Sequence, residues 1–300
     1  MGFGVMRGIT TIGYRHIVAA GAVVALLFQS PTQALSQSGT PQRVVSLNMC
    51  TDQLLLDLAP AGQIIGLSPF AKDSTRSWFA QKVEATPILS GSAEEILVLK
   101  PDLVVAGRFT RRATREFIRA RGIPLEEFDP VRTIAETKQQ IIRFGAITGA
   151  TGRANERINE INQAVAALSA VASEKRMTVL PLSRRGWVAG TQSLMSDILA
   201  QAGLSNAATE LGFRVGGIVS LEAIVKLRPD ALLITRDDGS AEDQGRAMLL
   251  HPALQELFPP ERRIIIPEKL TVCGGPMVAQ ALRTLAEQIV RLKPRDVAER

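Results

Sequence analysis

Short apolar segments alternate along the chain with segments of helical periodicity. Predicted strands lie at Val44–Leu47, Ile64–Leu67, Leu103–Ala106, Pro124–Glu127, Met177–Leu182, Ala231–Ile234 and Arg263–Ile266. Predicted helices lie near Gln53–Leu58, Ala93–Leu99, Thr110–Arg121, Leu194–Ala202, Leu221–Lys226 and Met277–Leu292. Strands that alternate with helices indicate parallel sheets with helices on both faces. The pattern therefore predicts an α/β protein with mainly parallel, Rossmann-like sheets.

The strand pattern stops for about forty residues in the middle of the chain. Ile134–Thr148 has the periodicity of a helix closed by Gly149, and a second helix opens at Thr151 and runs to about Ala172. We therefore predict two α/β lobes, residues 35–150 and 175–300, joined by one long helix at residues 151–174.

The first residues have the features of a secretory signal peptide. Arg7 and Arg15 precede the apolar run Ile17–Phe28, and Thr32-Gln33-Ala34 forms a small-x-small cleavage site. The run has about a dozen residues, whereas a helix that spans a bilayer needs about twenty. We expect cleavage after Ala34 and a soluble, monomeric periplasmic protein; a retained membrane anchor is the alternative.

Charge and composition restrict the class of ligand that the protein could bind. The formal net charge is +6, and loss of the two leader arginines leaves +4. Export and the scattered distribution of basic residues argue against a nucleic-acid-binding protein. A mildly basic surface that faces an anionic ligand explains the charge better. The only Tyr, Tyr14, and one of two His, His16, lie in the leader. Bare zinc or manganese needs several imidazoles, and ferric iron or haem ligated by phenolate needs Tyr, so we expect no resident cofactor and a metal that arrives inside a chelate.

An internal repeat supports the division into lobes. Ser92 to Val105 (SAEEILVLKPDLVV) aligns without a gap with Ser220 to Leu233 (SLEAIVKLRPDALL). Both copies predict a serine-capped short helix, a turn through Pro-Asp and a buried strand. A weaker echo pairs Thr51, Leu54 and Asp57 with Thr191, Leu194 and Asp197.

These motifs resemble the iron-siderophore and cobalamin binding-protein family of ABC importers, across essentially the whole mature chain. Asn48 to Asp52 (Asn-x-Cys-Thr-Asp) and Cys273 to Pro276 (Cys-Gly-Gly-Pro) resemble one branch of it. The resemblance implies a ligand cleft between two lobes, little hinge motion and delivery of a metal chelate to an ABC permease dimer. It also implies that Glu94 and Glu222 dock onto permease arginines, one on each subunit.

Residues that follow the predicted strands are candidates for the cleft, because ligands of open α/β sheets bind at the carboxyl ends of strands. The candidate ligand-binding residues are Asn48, Cys50, Thr51, Arg108, Phe109, Arg184, Arg185, Trp187, Arg236 and Cys273. Guanidinium groups suit carboxylate and phosphate oxygens, and the aromatic rings suit apolar parts of a ligand. The alternative is that these arginines are ordinary surface charges. Trp78 lies in a loop that could also reach the cleft.

The two cysteines, Cys50 and Cys273, follow strands in different lobes. An oxidising compartment favours a disulfide between them. Contact with a soft metal centre and two inert thiols are the alternatives.

The sequence gives little support to an enzyme. It has no Gly-x-Gly-x-x-Gly after a strand, no phosphate loop and no Gly-x-Ser-x-Gly elbow. His251 precedes Pro252 at a predicted helix start and is more typical of a structural residue than of a general base. The alternatives are a chelate-processing enzyme or a scavenger on the same fold, and corrinoid, citrate-type and hydroxamate chelates all stay open as ligands.

Overall fold

The computed structural model describes residues 39–83, 85–172, 177–236 and 247–293. The predicted leader, residues 1–34, lies outside the described residues. Within the described ranges no helix has the length and apolar character needed to cross a membrane.

The first sheet has four parallel strands in the order β2-β1-β3-β4. Its strands are β1 (Val44–Ser46), β2 (Ile64–Gly66), β3 (Leu103–Gly107) and β4 (Leu125–Phe128). Its helices are α1 (Met49–Leu58), α2 (Ala93–Leu99) and α3 (Arg112–Ala120). Every residue of β1 and β3 is buried, as expected of central strands covered on both faces. We call this sheet and its helices lobe 1.

The second sheet is mixed, in the order β10-β9-β5-β6-β8, with β7 paired beside β5. Its strands are β5 (Thr178–Leu182), β6 (Trp187–Ala189), β7 (Ser205–Asn206), β8 (Gly216–Ile218), β9 (Ala231–Arg236) and β10 (Arg263–Pro267). Its helices are α6 (Leu194–Gln201), α7 (Leu221–Leu227), α8 (Pro252–Leu257) and α9 (Val278–Ile289). We call this sheet and its helices lobe 2.

The predicted α/β architecture is confirmed, and the differences lie in lobe 2. The pattern missed β6, β7 and β8, which have only two or three residues each and so carry too few positions for a period to show. β6 runs antiparallel to both β5 and β8. The His251 side chain accepts a hydrogen bond from the Ala253 N–H and caps α8, which is the structural role expected for it.

Two long helices connect the sheets. α4 (Ile134–Thr148) ends at Gly149, whose φ of 72° lies in the left-handed region that glycine adopts without strain. α5 (Thr151–Ala170) follows directly, with Ala154, Ile161 and Leu168 buried on one face. α5 packs against both α4 and α9. α5 is the long linking helix that the sequence predicts, and α4 precedes it in the connection.

One hydrophobic cluster runs through both lobes. It contains Val44 and Val105 of lobe 1, Ile161 of α5, and Val179 and Ile266 of lobe 2. The lobes therefore share a core along α4, α5 and α9, and moving them apart would expose apolar surface at a cost of about 25 cal/mol per Å².

The two copies of the internal repeat have the same local structure. Ser92 and Ser220 cap seven-residue helices, each accepting a hydrogen bond from the N–H three residues on. Both helices end on a residue in the left-handed region, Lys100 with φ 46° and Arg228 with φ 48°. Residues other than glycine rarely adopt this backbone conformation. Its occurrence at matched positions in the two copies therefore supports a true repeat.

The aspartate of each repeat fastens its strand to the neighbouring one. Asp102, before β3, accepts hydrogen bonds from the N–H groups of Gln42 and Arg43, which lead into β1. Asp230, before β9, accepts from the N–H and hydroxyl of Thr178, the first residue of β5. The Pro-Asp pair therefore sets the start of two adjacent strands in each lobe.

A buried ion pair fixes the linking helix to lobe 1. Asp57, on α1, is fully buried and accepts two hydrogen bonds from the Arg157 guanidinium on α5, at 2.7 and 3.0 Å. Lys82 donates a third at 2.9 Å. Burial alone would raise the pKa of Asp57, but the hydrogen bonds from Arg157 and Lys82 outweigh it and lower the pKa.

We expect Arg157→Met to destabilise the protein by about 3 kcal/mol, because removing one partner leaves a buried charge poorly paired. Urea unfolding at pH 7 measures the loss. Since the pKa of Asp57 is lowered in the folded protein, its ionised form stabilises the fold above about pH 4, and this stabilisation is lost as the pH falls through the folded pKa. The difference in the free energy of unfolding between the native protein and Arg157→Met should therefore become smaller in acid.

The matched control is Arg112→Met, which removes an exposed pair with Glu116 on α3. Exposed pairs of this kind contribute less than about 1 kcal/mol. Equal losses from the two substitutions would contradict the anchoring role of Arg157.

Candidate functional site

A cleft of about 780 Å³ lies between the lobes. Lobe 1 and the segment before α4 contribute Arg76, Phe109, Pro130, Val131 and Arg132. Lobe 2 contributes Pro181, Ser183, Arg184, Arg185, Trp187, Ala189, Gln192, Ser193, Leu194, Met195, Val215, Thr235, Glu268, Thr271 and Val272. Most of these residues follow strands, as the topology of α/β sheets requires.

Four arginines line this cleft, with Glu268 the single carboxylate residue among its described lining. Arg184 and Arg185, in the turn between β5 and β6, were predicted. Arg76 and Arg132 are not among the predicted residues; they lie in the segments that follow β2 and β4. Clustered guanidinium groups in a concave, partly apolar site favour an anionic ligand.

Two predicted aromatic residues stand on opposite sides of the cleft. Phe109, after β3, is 83% exposed, and Trp187, at the start of β6, is 45% exposed. Exposed rings of this size can cover the apolar part of a ligand. Trp78 is not among the described residues that line the cleft; the Lys269 Nζ of lobe 2 lies 5.5 Å from the centre of its ring.

Two predicted ligand contacts, Arg108 and Thr51, are not among the described residues that line the cleft, and the side chain of a third, Arg236, is not described. Arg108 pairs with Asp129 at 3.0 Å and lines a neighbouring groove of about 760 Å³. Thr51 is 1% exposed, and its hydroxyl donates to the Asn48 carbonyl inside the N-terminal turn of α1. A ligand-binding role for either residue stays a prediction. Arg236 ends β9, and its side chain lies outside the described part of the protein.

A second pocket of about 480 Å³ lies in lobe 1 beside the cleft. Its lining is Leu47, Asn48, Met49, Ser68, Pro69, Phe70, Arg76, Leu89, Ser90, Gly91, Phe109, Thr110 and Arg111. Asn48, one of the predicted residues, caps α1 by accepting a hydrogen bond from the Cys50 N–H. Gly107 leaves room for it, because a Cβ there would lie 2.8 Å from the Asn48 side chain.

Behind this pocket lies a buried carboxyl. Asp52 is fully buried and accepts hydrogen bonds from the N–H and the hydroxyl of Ser68. Burial raises the pKa of Asp52 to about 6, with the hydrogen bonds from Ser46 and Ser68 acting in the opposite direction. These bonds hold the segment after β2 against α1 and so shape the pocket wall.

A disulfide joins the lobes next to both cavities. Cys50, in the first turn of α1, bonds to Cys273, which follows β10, with 5.3 Å between their Cα atoms. Asn48 and Met49, which precede Cys50, line the lobe 1 pocket, and Thr271 and Val272, which precede Cys273, line the cleft. The disulfide therefore lies between the lobe 1 pocket and the cleft. Neither sulfur is then a thiolate that could contact a metal.

The residue after Cys273, Gly274, is packed too closely for a side chain. A Cβ at this position would lie 1.9 Å from Val131 Cγ2 and 2.8 Å from the Thr137 hydroxyl. The chain after the disulfide therefore passes against α4 and the segment before it at a distance that only glycine permits.

Glu94 and Glu222, the predicted docking residues, are exposed in the first turns of α2 and α7. Glu95 differs from Glu94, because it accepts hydrogen bonds from the N–H and hydroxyl of Ser90 in its own lobe. Hydrogen bonds from its own N–H and from Ser220 lower the pKa of Glu222.

Comparison with known sequences gives one family match and a small set of distant relatives. A family model described as periplasmic binding protein matches residues 44–259. A cobalamin-binding protein of Halobacterium salinarum is 24% identical over 209 residues, 67% of this chain, and the match spans only 55% of that relative's length. An uncharacterized ABC transporter substrate-binding lipoprotein of Bacillus subtilis is 22% identical over 262 residues, 83% of this chain and 80% of that protein.

Solved structures share the fold. A periplasmic heme-binding protein from Roseiflexus sp. RS-1 in its apo form has a TM-score of 0.66 at 25% identity, covering 83% of this chain and 97% of that one. An ABC-type Fe3+-hydroxamate transport protein from Saccharomonospora viridis has a TM-score of 0.65 at 21% identity, covering 83% and 93%. These likenesses support the two-lobed architecture.

Replacing both cysteines by serine should lower the free energy of unfolding by about 2–5 kcal/mol, because the bond closes a loop of more than two hundred residues. Urea unfolding of the oxidised protein and the double variant measures the difference. Reductant should lower the stability of the native protein to that of the variant. Full thiol labelling of the native periplasmic protein without reductant would contradict the bond.

Proposed function

Because the chain belongs to the periplasmic binding protein family, we propose that it is an exported receptor that binds an anionic metal chelate and delivers it to an ABC import permease. The observation that carries the proposal is the cleft between the lobes, with four arginines and two exposed aromatic residues on its walls. A ligand there touches both lobes at once, which is how a two-lobed receptor holds a small molecule.

The donor set supports a chelate rather than a bare ion. Within the described ranges, no group of three or more His, Cys, Asp or Glu residues could hold a metal. Residues 35–300 contain no Tyr, and their one His, His251, caps α8 and lines none of the cavities described above. The metal would therefore enter with its own ligands, and the protein would recognise the outer surface of the complex.

Docking to the permease rests on Glu94 and Glu222. Their helices have the same length, the same serine cap and the same left-handed end, so the two carboxylates occupy equivalent positions in the two lobes. The family resemblance assigns such glutamates to permease arginines, one on each subunit of the dimer. Charges of this kind direct encounter and orientation more than they stabilise the fold.

We expect Arg132→Ala and Arg185→Ala each to weaken ligand binding by about tenfold to a hundredfold, since a charge-assisted hydrogen bond contributes about 1.5–3 kcal/mol. Native mass spectrometry of protein purified from its own periplasm identifies the ligand, and calorimetry then measures affinity. Arg108→Ala is the matched control, because Arg108 pairs with Asp129 outside the cleft. Unchanged affinity in both cleft variants would reject an arginine-held anion.

Reversing both glutamates, Glu94→Lys with Glu222→Lys, should abolish uptake and permease binding while ligand affinity and Tm stay close to the native values. The control pair is Glu156→Lys with Glu210→Lys, which makes the same charge change at exposed sites elsewhere. Uptake assays in whole cells and pull-down of the permease compare the two pairs. Normal uptake by the first pair would remove the docking role.

A further inference from the structure

Asp52 is a fully buried carboxyl that no cation neutralises. It lies in the first turn of α1 and accepts hydrogen bonds from the N–H and the hydroxyl of Ser68. Among the described residues it forms no ion pair, whereas Asp57, further along the same helix, is paired with Arg157. A buried charge without a cation is costly, so the neutral form of this carboxyl becomes accessible in mild acid.

Every described partner of Asp52 is uncharged. Strands β1 and β3, the segment after β2 and helix α4 pack against α1, and the disulfide brings the segment around Cys273 to its first turn. The charged groups at this end of those elements are Lys72, Asp73, Arg76, Arg108, Glu136, Glu268 and Lys269. None of them forms a hydrogen bond or an ion pair with Asp52. Burial therefore dominates, and it raises the pKa of Asp52 to about 6.

Ser68 connects this carboxyl to the ligand-binding wall of lobe 1. Ser68, Phe70 and Arg76 line the lobe 1 pocket, and Arg76 also lines the main cleft. All three lie in the segment that follows β2, and the two bonds from Ser68 to Asp52 fasten that segment to α1. The protonation state of Asp52 therefore acts on the wall from behind.

A proton on Asp52 changes two properties of this wall. It removes a negative charge from behind the pocket, and like charges repel most strongly where water is excluded. It also weakens the hold on Ser68, because a hydrogen bond to an ionised carboxyl is about twice as strong as one to a neutral group. The first change favours an anion in the pocket, and the second lets the Ser68 hydroxyl turn toward it.

We propose that Asp52 is a pH sensor behind the ligand-binding wall: its neutral form, which mild acid produces, binds an anionic ligand more tightly than its ionised form does. This regulation concerns the site of the proposed function and rests on that function for the identity of the natural ligand. Because binding and protonation are linked, the protein takes up a proton when it binds an anion near pH 6.

Nuclear magnetic resonance titration of the full mature protein between about pH 5 and pH 8 tests the sensor directly. The amide signals of Ser68 and Phe70 should shift with a midpoint near pH 6, because the Ser68 N–H donates to the titrating carboxyl. Asp52→Asn, which resembles the neutral carboxyl in shape and hydrogen bonding, should show no such midpoint.

The matched control is His251→Asn. It removes the single imidazole of residues 35–300, the side chain that most often acts as a pH switch, and keeps a capping side chain at the start of α8. The midpoint at Ser68 should stay native in this variant.

Sulfate is the binding probe, because it stays a dianion throughout this pH range. Followed by the same signals, the native protein should bind sulfate about threefold to tenfold more tightly at pH 5 than at pH 8. Asp52→Asn should bind it equally well at both pH values, with the affinity that the native protein has in acid.

Four results would overturn the sensor: no titration at Ser68 in the native protein, a titration that persists in folded Asp52→Asn, a sulfate affinity that is the same at both pH values, and no sulfate binding. The spectrum of each variant reports whether it is folded. Should Asp52→Asn not fold, the carbon-13 signals of the aspartate carboxyls in the native protein measure the titration of Asp52 itself, and a midpoint below about pH 5 would reject the proposal.

The outcome is separable from that of the receptor function. A pH-dependent sulfate affinity in a protein that carries no chelate from the periplasm would retain the sensor and reject the cargo. A bound chelate alongside a wall that does not titrate would retain the receptor and reject the sensor.

Discussion

The shared core along α5 is the constraint on which the other features depend. The buried face of α5, including Ile161 and Leu168, belongs to the same hydrophobic cluster as strands of both sheets. Asp57 and Arg157 fix this helix to lobe 1, and the Cys50–Cys273 bond adds a covalent link between the lobes. Because apolar burial, a buried ion pair and a disulfide act at one junction, the spacing of the cleft walls is set by the fold.

A fixed junction has consequences for both surfaces of the protein. The cleft walls can present arginines at set positions, so a ligand does not have to bring the lobes together and binding avoids that entropic cost. The same junction fixes the distance between Glu94 and Glu222. If Glu94 and Glu222 dock as proposed, their fixed spacing lets the loaded protein meet the permease without first changing shape.

The sequence predicted the elements whose signals are local. The α2 and α7 helices were found because Ser92 and Ser220 mark their starts and Pro-Asp follows their ends, and α4 because Gly149 closes it. The sequence predicted the residues of the candidate site less well. Arg108 follows a strand as Arg184 does, but it pairs with Asp129, twenty-one residues away, and is not among the described residues that line the cleft. That pairing depends on the alignment of β3 with β4, which no local pattern of residues specifies.

The two lobes share the parts that position the strands and differ in parts that line the cavities. Its matched parts, the capped helices and the Pro-Asp turns, position the strands and carry Glu94 and Glu222, for which docking is proposed. Several segments that line the cavities differ between the lobes: the antiparallel β6 and β8 with Trp187 belong to lobe 2, and the pocket before α3 belongs to lobe 1. Under the proposed function, matched lobes suit a permease with two related subunits, whereas cavity walls that differ suit a ligand whose ends differ. The residues that differ between the lobes are then the ones that select the ligand.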